Sequence, residues 1–90
     1  MEEAGIPRRK TGYRVEDFGD EIVLYDFSTT RVIYLNETAS LIWRLCDGLR
    51  SFNEIRTVLQ QAYPFMRDKI EVDFRTAMEQ FIYCGAVEMS

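Results

Sequence analysis

The chain contains no histidine and only two cysteines, two prolines and one tryptophan among its 90 residues. Histidine is the commonest general base and metal ligand in proteins, so its absence argues against an enzyme and against a metal site. Cys46 and Cys84 are isolated residues on helical patterns without metal-type spacing, and we expect two reduced thiols. No apolar run approaches the roughly 18 residues of a membrane span, so we expect no membrane association.

The charge balance and the N-terminus argue against further classes of protein. The formal net charge is −4, and an acidic chain lacks the positive surface that nucleic-acid-binding proteins present to phosphates. Residues 1–5 lack the basic start and apolar centre of a secretory signal, so we expect an intracellular, cytoplasmic protein. No glycine-rich phosphate loop and no nucleophile beside a base occurs, so the sequence predicts no catalytic residue and no cofactor.

The N-terminal segment is polar and shows no periodicity. Residues 1–11 include Pro7 and the basic run Arg8-Arg9-Lys10, and we predict a flexible tail there. Residues 12–90 are numerous enough for one hydrophobic core but not for two. We therefore predict a single domain over residues 12–90.

Three β-strand patterns open this domain. Residues 12–16 alternate apolar and polar side chains, and residues 21–25 and 31–35 are rich in β-branched and aromatic residues. The connections between them are short and contain turn-forming residues. The three strands are therefore predicted to form an antiparallel meander.

The third strand is predicted to lie at an open edge of this sheet. Its period of two places Ile33 and Leu35 toward the core and Val32 and Tyr34 on the opposite face. Edge strands are usually protected by charges or proline, whereas Arg31 is the one charge here and no proline is present. The sequence therefore predicts unpaired main-chain groups along residues 31–35.

Three amphipathic helix patterns follow the strands, each with a stop signal and the first two with a capping residue at the start. The order of elements therefore predicts an α+β fold, a three-stranded antiparallel sheet followed by three helices, similar to winged-helix domains. The predicted limits are Asn36 and Gly48 for the first helix, the capping pair Ser51 and Glu54 and then Pro64 for the second, and Ile70 and Gly85 for the third.

One side of the third helix carries Asp73, Ala77, Gln80 and Cys84, at spacings of four, three and four residues. This side either packs against the sheet or faces solvent, or its small residues leave a groove that accepts an extended peptide as a fourth strand. Six main-chain hydrogen bonds at ~1 kcal/mol each would not offset the ordering of such a peptide. Apolar or aromatic anchors would therefore have to enter the groove.

A winged-helix protein that binds DNA is the alternative interpretation. The third helix would then enter the major groove, but it carries Arg75 against Glu71, Asp73 and Glu79. Phosphates would repel this surface, so we expect no nucleic-acid partner. A third alternative is a structural partner of an enzyme that uses the same edge strand for pairing.

Several short motifs resemble the PqqD-like family of peptide-recognition domains over roughly residues 12–88. This resemblance implies a three-stranded antiparallel sheet followed by three helices, and a non-catalytic domain without a cofactor. The motifs are Tyr34-Leu35-Asn36-Glu37-Thr38-Ala39, Ile42-Trp43-Arg44-Leu45-Cys46-Asp47-Gly48, Glu54-Ile55, Asp73 and Gly85.

The resemblance also implies a function and a site. Members of the family bind the leader segment of a ribosomally made precursor peptide as an added strand on the third strand, against the last helix. They present it to a modifying enzyme such as a radical enzyme, a peptidase or a cyclase. An exposed edge can also pair or swap between two copies, which would give a homodimer. Carried over by position, the expected peptide-binding residues are Arg31, Val32, Ile33, Tyr34, Leu35, Asp73, Thr76, Ala77, Gln80, Phe81 and Cys84.

Overall fold

The computed structural model of the chain describes residues 5–89 and confirms the α+β fold. Three strands form one antiparallel sheet in the order β2-β3-β4, three helices follow, and β1 and β5 form a second, two-stranded antiparallel sheet. The elements are β1 Pro7–Arg9, β2 Tyr13–Asp17, β3 Ile22–Asp26, β4 Arg31–Leu35, α1 Glu37–Leu45, α2 Phe52–Ala62, α3 Arg67–Cys84 and β5 Val87–Met89.

The three-stranded sheet packs one face against the helices. Leu24 on β3 lies directly opposite Ile33 on β4, and Ile22 lies opposite Leu35. All four side chains are buried in the same hydrophobic core as the inward residues of the helices. The predicted inward face of residues 31–35 is therefore confirmed, because burial of alternate side chains fixes the register of a strand.

The capping residues act largely as the sequence predicts. Asn36 accepts a hydrogen bond from the Ala39 N–H at 2.8 Å through its side-chain oxygen. Ser51 and Glu54 each accept a hydrogen bond from the other's backbone N–H, which is the predicted capping box. Gly85 ends α3 with φ 74°, a left-handed conformation that glycine adopts without a steric cost.

Two predicted helix limits are wrong. The first helix ends at Leu45, so Gly48 is not its cap. Gly48 lies three residues further on with φ 79°, where a Cβ would be 3.2 Å from the Cδ atom of Arg8. The third helix begins at Arg67 and not at Ile70, which adds a turn of charged residues to its start.

The prediction of a flexible tail over residues 1–11 is corrected at residues 7–9, which form β1 and pair with β5. Arg8 lies opposite Glu88 in this pair, and their side chains form an ion pair at 2.5 Å. The Arg9 guanidinium donates to the backbone carbonyl of Arg44 and lies 5.4 Å from the ring centroid of Trp43. The basic run is thus part of the domain, while residues 1–4 lie outside the described residues.

The helices complete the core around one aromatic pair. The rings of Phe52 on α2 and Phe74 on α3 meet edge to face, with centroids 6.0 Å apart. Cys46 is buried and Cys84 is half-buried, and both are free thiols. Among residues 5–89, no helix combines the length and apolarity that crossing a membrane requires.

Candidate functional site

The direction of the backbone groups in the sheet follows from the turn between β2 and β3. The Phe18 N–H donates to the Glu21 carbonyl at 2.9 Å, so these two residues form a hydrogen-bonded pair. Such pairs alternate along antiparallel strands, which makes Val23 and Tyr25 the residues of β3 that bond to β2. The backbone groups of Ile22 and of every second residue after it in β3 therefore point toward β4.

A buried serine confirms this assignment at the C-terminal end of β4, where Leu35 lies opposite Ile22. The Ser40 hydroxyl accepts from the Ile22 N–H and donates to the Leu35 carbonyl, both at 3.0 Å. Ser40 is fully buried, and its hydroxyl bridges backbone groups of β3 and β4 that face each other. Arg31, Ile33 and Leu35 thus direct their backbone groups toward β3.

The open edge of β4 consists of the backbone groups of Val32 and Tyr34. Their N–H and C=O groups point away from β3, and β4 is an outer strand of its sheet. No other described residue forms a β-pair with this side of β4. The predicted open edge is confirmed, and it offers four main-chain groups to an added strand, because only alternate residues face outward.

A small cavity lies at the end of β4, between the start of α1 and the side of α3. Its volume is about 110 Å³, and Ala39 and Ala77 leave this space because their side chains are short. Ala77 is only 7% exposed and belongs to the core, so it forms the floor of the cavity. We call this cavity the end pocket; its lining residues are Asn36, Thr38, Ala39, Asp73, Thr76, Ala77 and Gln80.

Asp73 lines the end pocket, whereas the far end of β4 carries Arg31 opposite Asp26 of β3. The Asp73 carboxylate lines the pocket, and no residue among 5–89 donates a hydrogen bond to it or forms an ion pair with it. Burial, and then the Asp26 carboxylate, raise the pKa of Tyr13, while Arg31 at the start of β4 partly opposes this rise. The protonated Tyr13 hydroxyl donates to the Cys84 carbonyl at 3.0 Å, which ties β2 to the end of α3.

The structure brings together only part of the predicted site. Val32 and Tyr34 lie on the open edge, and four residues of α3 line the end pocket, whereas Phe81 is fully buried and Cys84 lies against Tyr13. Ile33 and Leu35 are buried and direct their backbone groups toward β3, so neither residue offers a side chain or a main-chain group to the open edge. The sequence analysis did not identify three residues that line the end pocket: Asn36, Thr38 and Ala39. Their position directly after the edge strand could have indicated them.

Three comparisons with known proteins bear on this geometry. The family model of coenzyme PQQ synthesis protein D (PqqD) matches residues 21–87. The solved structure of TbiB1 in complex with the TbiA(beta) leader peptide has the same fold, with a TM-score of 0.76 and 22% sequence identity over 90% of this chain and 94% of that chain. The search of curated proteins found no match to this chain.

The matched segment contains β3, β4, the three helices and the first residue of β5, and therefore both the open edge and the end pocket. It covers well over half of the chain. The motifs that carry the resemblance, from Tyr34 to Gly85, lie within it. The chain belongs to the PqqD family.

Proposed function

We propose that this chain binds the leader segment of a ribosomally synthesised precursor peptide as an added strand on β4. The observation that carries the proposal is the open edge at Val32 and Tyr34, with the lining of the end pocket beginning at Asn36, the first residue after β4. Membership of the PqqD family supports it. So does the fold shared with TbiB1, a protein whose solved structure contains a leader peptide.

Main-chain pairing supplies only part of the affinity. Four hydrogen bonds at a net ~1 kcal/mol each contribute ~4 kcal/mol, whereas ordering five residues of a flexible peptide costs roughly 5–10 kcal/mol. A micromolar complex requires ~8 kcal/mol of net binding free energy. Side chains of the leader must therefore be buried against the chain, at roughly 1.5–3 kcal/mol for each large apolar residue.

The charges at the two ends of β4 indicate which polar groups the leader should carry. A side chain that enters the end pocket meets the Asp73 carboxylate, which has no partner among residues 5–89, so a hydroxyl, amide or cationic group is favoured there. At the opposite end Arg31 is exposed and favours an acidic residue of the leader. This polarity would also fix the direction in which the peptide lies along β4.

The proposed role is non-catalytic. The chain has no histidine, and residues 5–89 contain no cluster of acids and cysteines that could hold a metal ion. We propose that chemistry is supplied by a separate modifying enzyme in the cytoplasm, such as a radical enzyme, a peptidase or a cyclase. The present chain would hold the leader and so raise the local concentration of the precursor at that enzyme.

No observation favours DNA binding. Over its full length, α3 carries Arg67, Lys69 and Arg75 against four acidic residues, so its surface stays net negative. A second copy of the chain is the competing occupant of the open edge, and we propose edge pairing between copies only in the absence of leader.

A titration with one engineered charge tests the proposal. The probe is a fluorescein-labelled peptide that covers the leader of the precursor encoded beside this chain's gene. Wild type should bind it saturably, and Thr76→Arg should abolish binding because the arginine fills the end pocket. Thr57→Arg is the matched control, another exposed helical threonine, which lies outside the end pocket. Absence of saturable binding to the wild-type chain would refute the proposal.

A further inference from the structure

The outer face of the sheet, away from the helices, is apolar only beside the open edge. Val32 and Tyr34 direct their side chains to this face and are 42% and 77% exposed. Val23 and Tyr25 of β3 lie opposite them on the same face. This arrangement gives a hydrophobic surface next to the strand that has no neighbour.

Toward β2 the same face becomes charged. Arg14 and Glu16 project from β2 on the outer face and form an ion pair at 2.8 Å. A depression of about 450 Å³ lies at the end of the sheet beside the turn between β2 and β3, and its lining includes Phe18, Glu21, Val23 and Tyr34. The apolar part of the outer face is thus continuous with the open edge and ends in a depression large enough for an aromatic side chain.

A strand added to β4 must place alternate side chains on this outer face. Side chains of neighbouring residues in a strand point to opposite faces of the sheet. If every second residue of the leader points toward the helices and the end pocket, the residues between them lie beside Val32 and Tyr34. These intervening residues therefore cannot avoid contact with the apolar outer face.

We propose that Val32 and Tyr34 form a second recognition surface, which selects aromatic or β-branched residues at the positions of the leader that do not enter the end pocket. This inference rests on the proposed function and deepens it, because it names a second set of selected positions. Aromatic and β-branched residues pair favourably across strands, and each such pair changes affinity by up to about fivefold.

The test uses selection from a library, so no leader has to be known. Random 12-residue peptides are presented by mRNA display to the full chain and to three variants, Tyr34→Lys, Asp73→Lys and Leu49→Lys. Tyr34 and Leu49 are both exposed apolar residues replaced by the same cation, and Leu49 lies beyond the opposite end of α1. Circular dichroism and the thermal midpoint verify that each variant is folded.

The expected result is that residue preferences alternate along the peptide, with one set of positions depending on Tyr34 and the intervening set on Asp73. Wild type enriches aromatic or β-branched residues at alternate positions, and Tyr34→Lys replaces at least one of them with Asp or Glu. Asp73→Lys also introduces an acidic preference, at a position whose number along the peptide differs from that of the first by an odd number, so the two side chains point to opposite faces of the added strand. Leu49→Lys gives the wild-type pattern.

Two other results would overturn the inference. If wild type enriches peptides but tolerates any residue at the intervening positions, and Tyr34→Lys leaves the pattern unchanged, the second surface does not exist while the proposed function stands. If wild type enriches no peptides, the proposed function and the inference fail together.

Discussion

Replacing Val32 with proline tests the contribution of the open edge to binding independently of every other surface of the chain. Proline has no N–H, and sheets tolerate it where the lost N–H faces away from the neighbouring strand. The Val32 N–H points away from β3, so Val32→Pro should leave the ladder between β3 and β4 intact. It removes one of the four groups that an added strand would use.

The matched control lies on the other edge of the same sheet. The backbone groups of Glu16 form hydrogen bonds with Val23 of β3. Because the direction alternates along a strand, the backbone groups of the preceding residue, Val15, point away from β3. Val15→Pro therefore removes an equivalent outward N–H at the edge that we do not propose as the site. Both substitutions impose the same restriction on an extended strand.

The expected effect of Val32→Pro is a loss of about 1–2 kcal/mol of binding free energy, or roughly 5–30-fold in Kd. This figure includes the lost hydrogen bond and the carbonyl group of the leader that is left without a partner. Fluorescence anisotropy with the labelled leader measures it, and circular dichroism verifies the fold. Equal weakening by Val15→Pro, or unchanged binding by Val32→Pro, would refute pairing on β4.

Three further predictions concern the framework of the site. Ser40→Ala leaves the bridged Ile22 N–H and Leu35 carbonyl without their partner, and urea unfolding should show a loss of about 2 kcal/mol. Burial raises the pKa of the Cys46 thiol to about 12, so iodoacetamide at pH 8 should modify the half-buried Cys84 first, as mass spectrometry would show. The hydrogen bond from the Leu49 N–H lowers the pKa of Asp47 in the folded state. The Asp47 carboxylate therefore stabilises the fold at pH values above its pKa in the unfolded state. This stabilisation is lost as the pH falls through its lower pKa in the folded state. Urea midpoints of wild type and Asp47→Asn should therefore converge as the pH falls below about 4.

The sequence predicts the edge strand well because a local pattern determines it. In residues 31–35 the alternation of side chains indicates burial on one face, and the short connections between the three strands favour the order β2-β3-β4. The caps at Asn36 and Ser51 are equally local, since each depends on a side chain and a backbone N–H three residues away.

Other features depend on contacts that no local pattern contains. The pairing of Pro7–Arg9 with Val87–Met89 joins the two ends of the chain, and neither segment has enough residues to show a strand periodicity. The end pocket is lined by short side chains from two helices that are distant in sequence, Ala39 on α1 and Ala77 on α3. The direction of the backbone groups on β4 follows from the pairing of Phe18 with Glu21 in a distant turn.

Amide hydrogen exchange resolved by residue tests the central claim most directly. In the free chain the N–H groups of Val32 and Tyr34 should exchange rapidly, while the Ile33 N–H, which faces β3, should be protected. Saturating leader peptide should slow exchange at Val32 and Tyr34 and change Ile33 little. Protection of Val32 and Tyr34 in the free chain, or rapid exchange at both under saturation, would contradict the addition of a strand to β4.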